Sequence, residues 1–128
     1  SVLIRIPSAR GDGTRVELRS PDPSCNPYLA LALLLKAGLD GIRRKLEPPK
    51  ECAENIYAMS DAQRAARGIL PLPGNLKEAV EQMKQDALVM DALGGHIAEQ
   101  YVKGKEKEWE AYRVRVSQWE IEKYLVIY

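Results

Sequence analysis

The sequence predicts an α+β fold, predominantly α, in which an N-terminal β hairpin is followed by a bundle of helices. Three observations carry this reading. Leu3–Pro7 and Thr14–Ser20 alternate in the period-two manner of strands and are separated by the glycine-bearing turn "SARGDG". From Pro27 onward, helix-start residues recur ahead of segments with helical spacing of apolar side chains. The 128 residues, 45% apolar and 29% charged, have the composition of an ordinary globular domain with enough chain for a core.

The elements follow in order. Pro21 and Pro23 end the second strand, because proline cannot donate into a ladder. A lone hairpin is marginal in water, so both strands also suit membership of a larger sheet. Asn26 is the expected N-cap of a helix from Pro27 to Leu46, with proline at its first position, where the missing N–H is harmless. The stretch "YLALALLL" is apolar on every side, which predicts a helix over 26–46 buried all round. Residues 47–74 form a long connection bounded by prolines, with a short helix from Ser60 to Arg67 stopped at Gly68. Residues 75–128 are expected to be helical. Asn75–Glu78 resembles a capping box, and Leu76, Val80, Met83 and Ala87 share one helical spacing. Gly94-Gly95 breaks the pattern, a further helix starts near His96, and a second capping box, Ser117–Glu120, opens a last helix ending near Leu125.

Composition excludes several classes. Net charge is +1, so there is no electrostatic reason to expect nucleic acid or an anionic membrane as partner. The longest apolar run, Tyr28 to Leu35, is far shorter than the ~18 residues of a membrane span. Two cysteines, Cys25 and Cys52, without disulfide or zinc spacing read as reduced thiols of a cytoplasmic protein. One histidine, His96, makes histidine-rich metal sites improbable, and its position after two glycines suits a structural role. Trp109, Tyr112 and Trp119 read as core or interface. A chain that opens at Ser1 directly into a strand is expected to be a cut piece or a tagged form.

The chemistry-bearing stretch is "RVELRSPDPSCNPY". Alternation sets Arg15, Glu17 and Arg19 on one face of a strand, with Val16 and Leu18 on the other. Such a face is often only a solvated edge with weak ion pairs. It also suits a site: guanidinium forks grip phosphate or carboxylate, and a carboxylate oxygen is a natural ligand for Mg²⁺ or Mn²⁺. Arg5 and Arg10 add guanidiniums nearby in sequence, and further metal ligands would have to come from elsewhere.

The run from Arg5 to Ile42, "RIP…GTRVELRSPDPSCNPYLALALLLKAGLDGI", resembles the C-terminal catalytic segment of bacterial type I glutamine synthetase, the glutamate–ammonia ligase. The resemblance continues through "NIY", "LPGNLKEAVEQM", "ALGGHIAEQYVKGKEKEW" and "WEIEKYLVIY" and covers essentially the whole chain, as the last third or so of such an enzyme. It implies that the hairpin belongs to a larger catalytic sheet. It implies formation of glutamine from glutamate, ammonia and ATP through γ-glutamyl phosphate, with Mg²⁺ or Mn²⁺ and with subunits in two stacked hexameric rings. By position, Glu17 matches a metal ligand, and Arg19 the arginine that meets glutamate and the transferring phosphoryl group. Arg15 and Arg5 match arginines at the ATP phosphates. Asp12 stands where some members have lysine, so no phosphate contact is implied there.

Tyr57 matches a tyrosine that some members modify by adenylylation, whereas "GTRVELRSPDP" and "WEIEKYL" resemble the feedback-inhibited subgroup. In the family the apolar chain end, here "YLVIY", reaches into a partner subunit. Since most ligands are implied to lie outside this segment, the isolated chain is expected to be inactive. A ligase joining glutamate to another amine, and a non-catalytic module docking on synthetase subunits, remain as alternatives.

Overall fold

A computed structural model describes residues 3–50, 52 and 54–127. The chain forms two compact units, Ser1–Pro71 and Leu72–Tyr128.

In the first unit, strands β1 (Ile4–Arg5) and β2 (Glu17–Leu18) pair antiparallel, with Ile4 opposite Leu18 and Arg5 opposite Glu17. Arg19 N–H extends the pairing by donating to the Leu3 carbonyl at 2.8 Å. The strands are shorter than expected, because the connection is an ordered 3-10 turn, Gly11–Gly13, flanked by extended residues. Gly11 takes φ +66°, a conformation that favours glycine. After β2, the Asp22 carboxylate accepts from Ser24 N–H at 2.7 Å, and Cys25 N–H donates to the Asp22 carbonyl at 2.9 Å. This turn delivers the chain to helix α1 (Pro27–Arg43), whose cap Asn26 accepts from Tyr28 N–H at 3.0 Å and Leu29 N–H at 3.3 Å.

The expected burial of α1 is not supplied by the chain. No residue of α1 is buried, and Leu31, Leu35 and Ile42 are 65%, 66% and 74% exposed. The physical reason is that, beside this helix, the first unit offers a short hairpin, a six-residue helix and irregular segments, too little surface to enclose a helix that is apolar all round.

The long connection contains a 3-10 turn, Ile56–Ala58, and helix α2 (Asp61–Ala66). As expected, Ser60 caps α2 in a full capping box with Gln63, and Gly68 follows at φ +67°. Arg64 Nη1 donates to the Met59 carbonyl at 2.9 Å and Arg67 pairs with Glu54 at 2.9 Å, folding the segment around Met59.

The second unit holds α3 (Leu76–Gln85), α4 (Ala87–Arg113) and α5 (Gln118–Tyr124). Among the described residues, α3 on α4 is the helix pair that packs extensively, and the two form a helical hairpin. Its core is small: Val80, Leu93 and Ala98 are buried. Lys84 of α3 bridges Glu81 and, across to α4, Glu106.

One helix boundary differs from expectation. Ala87 does not continue the helix of Leu76, Val80 and Met83. Asp86 leaves the helical conformation (φ −88°, ψ 100°), and its carboxylate caps α4 by accepting from Leu88 N–H and Val89 N–H. The break at Gly94 is present as a kink inside α4, with φ 72° and ψ 156°. Asn75 caps α3 and Ser117 caps α5, each engaging the acid three residues on. Trp109 and Tyr112 lie 5.9 Å apart between ring centres, as do Trp119 and Tyr124 at 5.8 Å, but Tyr112 and Trp119 are exposed rather than in a core.

Candidate active-site strand

The register of β1 against β2 builds a compact charge cluster. Arg5 lies directly across the ladder from Glu17, and Arg15 is two residues before it on the same strand face. Arg5 Nη1 donates to Glu17 Oε2 at 3.1 Å. From the other side Arg15 Nε donates to Oε1 at 2.9 Å, and Arg15 Nη2 lies 2.8 Å from the same oxygen. Arg15 Nη1 also donates to the Gly13 carbonyl at 3.1 Å, tying the cluster to the turn. Both carboxylate oxygens of Glu17 are therefore engaged. Its side chain keeps 28% exposure, against 52% for each arginine.

Electrostatics favours the charged carboxylate. Partial removal from water pushes the Glu17 pKa up, but the Arg15 hydrogen bond and the charges of Arg5 and Arg15 outweigh it and hold the carboxyl below its ordinary value of 4.5.

Arg19 behaves differently. Its backbone closes the hairpin, yet its exposed side chain makes no hydrogen bond or ion pair among the described residues. Arg10 is not part of the cluster: its guanidinium donates to the carbonyls of Pro7 at 2.7 Å and Ala9 at 2.9 Å and so holds the turn. Alternation along one strand reveals Arg15, Glu17 and Arg19, but the direct opposition of Arg5 and Glu17 is a property of register. Asp22, which shapes the turn after β2, had a sequence signal in the Asp-Pro-Ser run, since aspartate two residues before serine favours such turns.

As a metal ligand set the strand is partial. A carboxylate oxygen suits Mg²⁺ or Mn²⁺, but among the described residues no group of three or more His, Cys, Asp or Glu could hold an ion. His96 is exposed on α4. Tyr57 lies on the 3-10 turn and is 77% exposed, with its backbone N–H donating to Asn55 Oδ1 at 3.1 Å. Cys25 and Cys52 are free thiols. Among the described residues no helix is long and apolar enough to cross a membrane. A groove of about 630 Å³ lies within the second unit, lined by Asn75, Leu76, Glu108, Trp109, Tyr112 and Arg115, and includes none of the strand residues.

Residues 1–124, which include the hairpin bearing this cluster and the capped apolar helix after it, match the family described as glutamine synthetase, catalytic domain. The chain belongs to that family. It is 57% identical over 125 residues to the glutamine synthetase of Clostridium saccharobutylicum, covering 98% of this chain and 28% of that protein. It is 54% identical to the glutamine synthetase of Thermotoga maritima, covering 99% of this chain and 29% of that protein. A solved structure titled "Apo GmaS without ligand" is similar with a TM-score of 0.73 and 34% identity, covering 96% of this chain and 27% of that one. The chain thus spans less than a third of the length of the curated relatives it matches.

Proposed function

We propose that this chain is the C-terminal part of a glutamine synthetase catalytic domain. In the complete enzyme its first 20 residues form one wall of a site that ligates ammonia to glutamate, using ATP, through γ-glutamyl phosphate. The observation that carries this reading is the strand face itself: a carboxylate held between two guanidiniums, with a third guanidinium beside it that no other described residue engages.

In this reading Arg19 meets glutamate and the transferring phosphoryl group, while Arg15 and Arg5 contact ATP phosphates. Phosphoryl transfer through a loose transition state spreads charge over the phosphoryl oxygens, and guanidiniums fixed by a β ladder stabilise that charge with little reorganisation. Glu17 contributes one oxygen ligand, and its hard anionic donor fits Mg²⁺ or Mn²⁺. When bound, such an ion neutralises phosphate charge and orients the phosphates. The other ligands come from parts of the enzyme outside these residues, so the chain alone is inactive.

Exposed apolar surface supports a larger assembly. The α1 leucines await covering by the rest of the catalytic domain, and exposed Leu125, Val126 and Ile127 suit insertion into a partner subunit. The assembly proposed is a dodecamer of two stacked hexameric rings, with sites shared between neighbouring subunits. It would work in glutamine biosynthesis in the cytoplasm, where Cys25 and Cys52 stay reduced. Exposure of Tyr57 makes it the candidate for adenylylation.

The test is glutamine formation from ammonia by the intact synthetase carrying these residues. Glu17→Ala should lower the rate on the order of 10²-fold and raise the divalent-metal requirement. A near-normal rate with unchanged metal demand would mean the strand face is a solvated edge. Larger amines run beside ammonia in the same assay identify the amine accepted.

A further inference from the structure

We propose that Arg10 is a positioning residue for Arg15: by clamping the turn between the two strands it fixes the Gly13 carbonyl that aims the Arg15 guanidinium. The inference rests on the reading above, in which Arg15 contacts ATP phosphates.

The ladder alone does not orient Arg15. Its last pair is Arg5 with Glu17, and Arg15 stands two residues beyond it, on the extended segment that leaves the turn. The Arg15 bonds to Glu17 end on a side chain that itself rotates. The bond from Nη1 to the Gly13 carbonyl at 3.1 Å ends on the backbone, so the turn decides where that anchor stands. A connection between two-residue strands keeps much conformational freedom unless something ties it down. One backbone hydrogen bond closes it, Thr14 N–H to the Gly11 carbonyl at 3.0 Å, and that bond lies in its second half.

Arg10 ties down the first half. Its Nη1 donates to the Pro7 carbonyl at 2.7 Å and to the Ala9 carbonyl at 2.9 Å, which wraps the entry of the turn around one cationic donor. Pro7 is buried, so its carbonyl has little water to replace that bond. Ala9 in turn lies against Gly13: a Cβ on Gly13 would stand 3.1 Å from Ala9 Cβ, tighter than ordinary contact. The clamp therefore runs from Arg10 through Ala9 to Gly13, and from the Gly13 carbonyl to Arg15. Among the described residues Arg10 makes no hydrogen bond to Arg5, Arg15 or Glu17, so its influence on them passes through the turn.

The test is steady-state kinetics of ammonia-dependent glutamine formation by the intact synthetase, with ATP varied and a urea unfolding curve on each preparation. Arg10→Met keeps the length of the side chain and removes its donors. It should raise KM for ATP roughly three- to tenfold while kcat stays within about twofold. Arg10→Lys, whose ammonium can also serve two carbonyls, should recover most of the loss. In an Arg15→Ala background Arg10→Met should add almost nothing, as a double-mutant cycle requires of groups that act in series. An unchanged KM in Arg10→Met, no recovery in Arg10→Lys, or an effect of full size without Arg15 overturns the positioning role alone. So does a fall in kcat and unfolding midpoint with KM unchanged, which marks a merely structural residue. An unchanged KM in Arg15→Ala overturns the site reading and the positioning role together. Should Arg10→Met fail to assemble, Gly13→Ala carries the test, because its Cβ presses on Ala9 and shifts the same carbonyl. A raised KM that Ala9→Gly restores supports the clamp; no rise, or a rise that Ala9→Gly leaves in place, overturns it.

Discussion

Replacing Arg19 by alanine separates chemistry from stability. The wild-type side chain makes no hydrogen bond or ion pair among the described residues, and its backbone N–H bond to the Leu3 carbonyl at 2.8 Å survives in alanine. The folded state therefore loses almost nothing, and unfolding free energy should change by less than about 0.5 kcal/mol. In the proposed role of Arg19 the expected functional loss is larger. A hydrogen bond to a charged partner is worth about 1.5–3 kcal/mol, and a guanidinium fork offers two. With water replacing part of the contact, a loss of about 3 kcal/mol remains, or roughly 10² in kcat/KM. The assay is ammonia-dependent glutamine formation by the intact synthetase, with a urea unfolding curve on the same preparation. Arg15 supplies the contrast, because its removal breaks bonds to Glu17 and to the Gly13 carbonyl, so both readouts should move. An Arg19→Ala protein that keeps its rate, or loses rate and stability in step, would refute the division of labour along this strand.

Two other outcomes follow from named contacts. The Glu17 carboxyl should titrate below 4.5 when followed by carbon NMR, and Arg15→Ala should bring it back toward that value. Because the folded pKa is depressed, the pairing contributes stability above about pH 4.5 and loses it as pH falls through the folded pKa; a wild-type midpoint at or above 4.5 would contradict the paired geometry. In α4, Gly94→Ala should destabilise by about 1–3 kcal/mol from backbone strain alone, since φ 72° with ψ 156° suits only glycine and no atom stands within 4 Å of an added Cβ. Gly104→Ala, with equally open space and no positive φ, should stabilise by about 0.5–1 kcal/mol, and urea unfolding showing the same sign for both would exclude this explanation.

What could be read in the sequence was local. The caps at Asn26, Ser60, Asn75 and Ser117 are written in side chains two or three residues from the amides they satisfy, so no tertiary knowledge is needed to find them. Asp86 was hidden for an equally local reason: the apolar spacing of Val80, Met83 and Ala87 runs through it unbroken, although an aspartate before Leu88-Val89-Met90 is itself a cap signal. On the candidate site strand, period-two alternation revealed the face of Arg15, Glu17 and Arg19. The partnership of Arg5 with Glu17 and the withdrawal of Arg10 into the turn depend on register and loop geometry, which sequence spacing does not determine. The apolar run of α1 states what the helix requires, and the described part of this chain does not supply it.

Among the described residues, the five α-helices each carry their own side-chain cap, while the two units bury very few apolar side chains. Secondary structure and tertiary order are thus underwritten differently: the first by groups adjacent in sequence, the second, in the proposed assembly, by surface from outside these residues. If that surface is stripped away, the far-ultraviolet helical signal should persist while the near-ultraviolet signal of Trp109 and Trp119 fades and hydrophobic dyes bind, the signature of a molten globule. Helical content is therefore a poor gauge of correct assembly for this chain, and tryptophan environment is a better one.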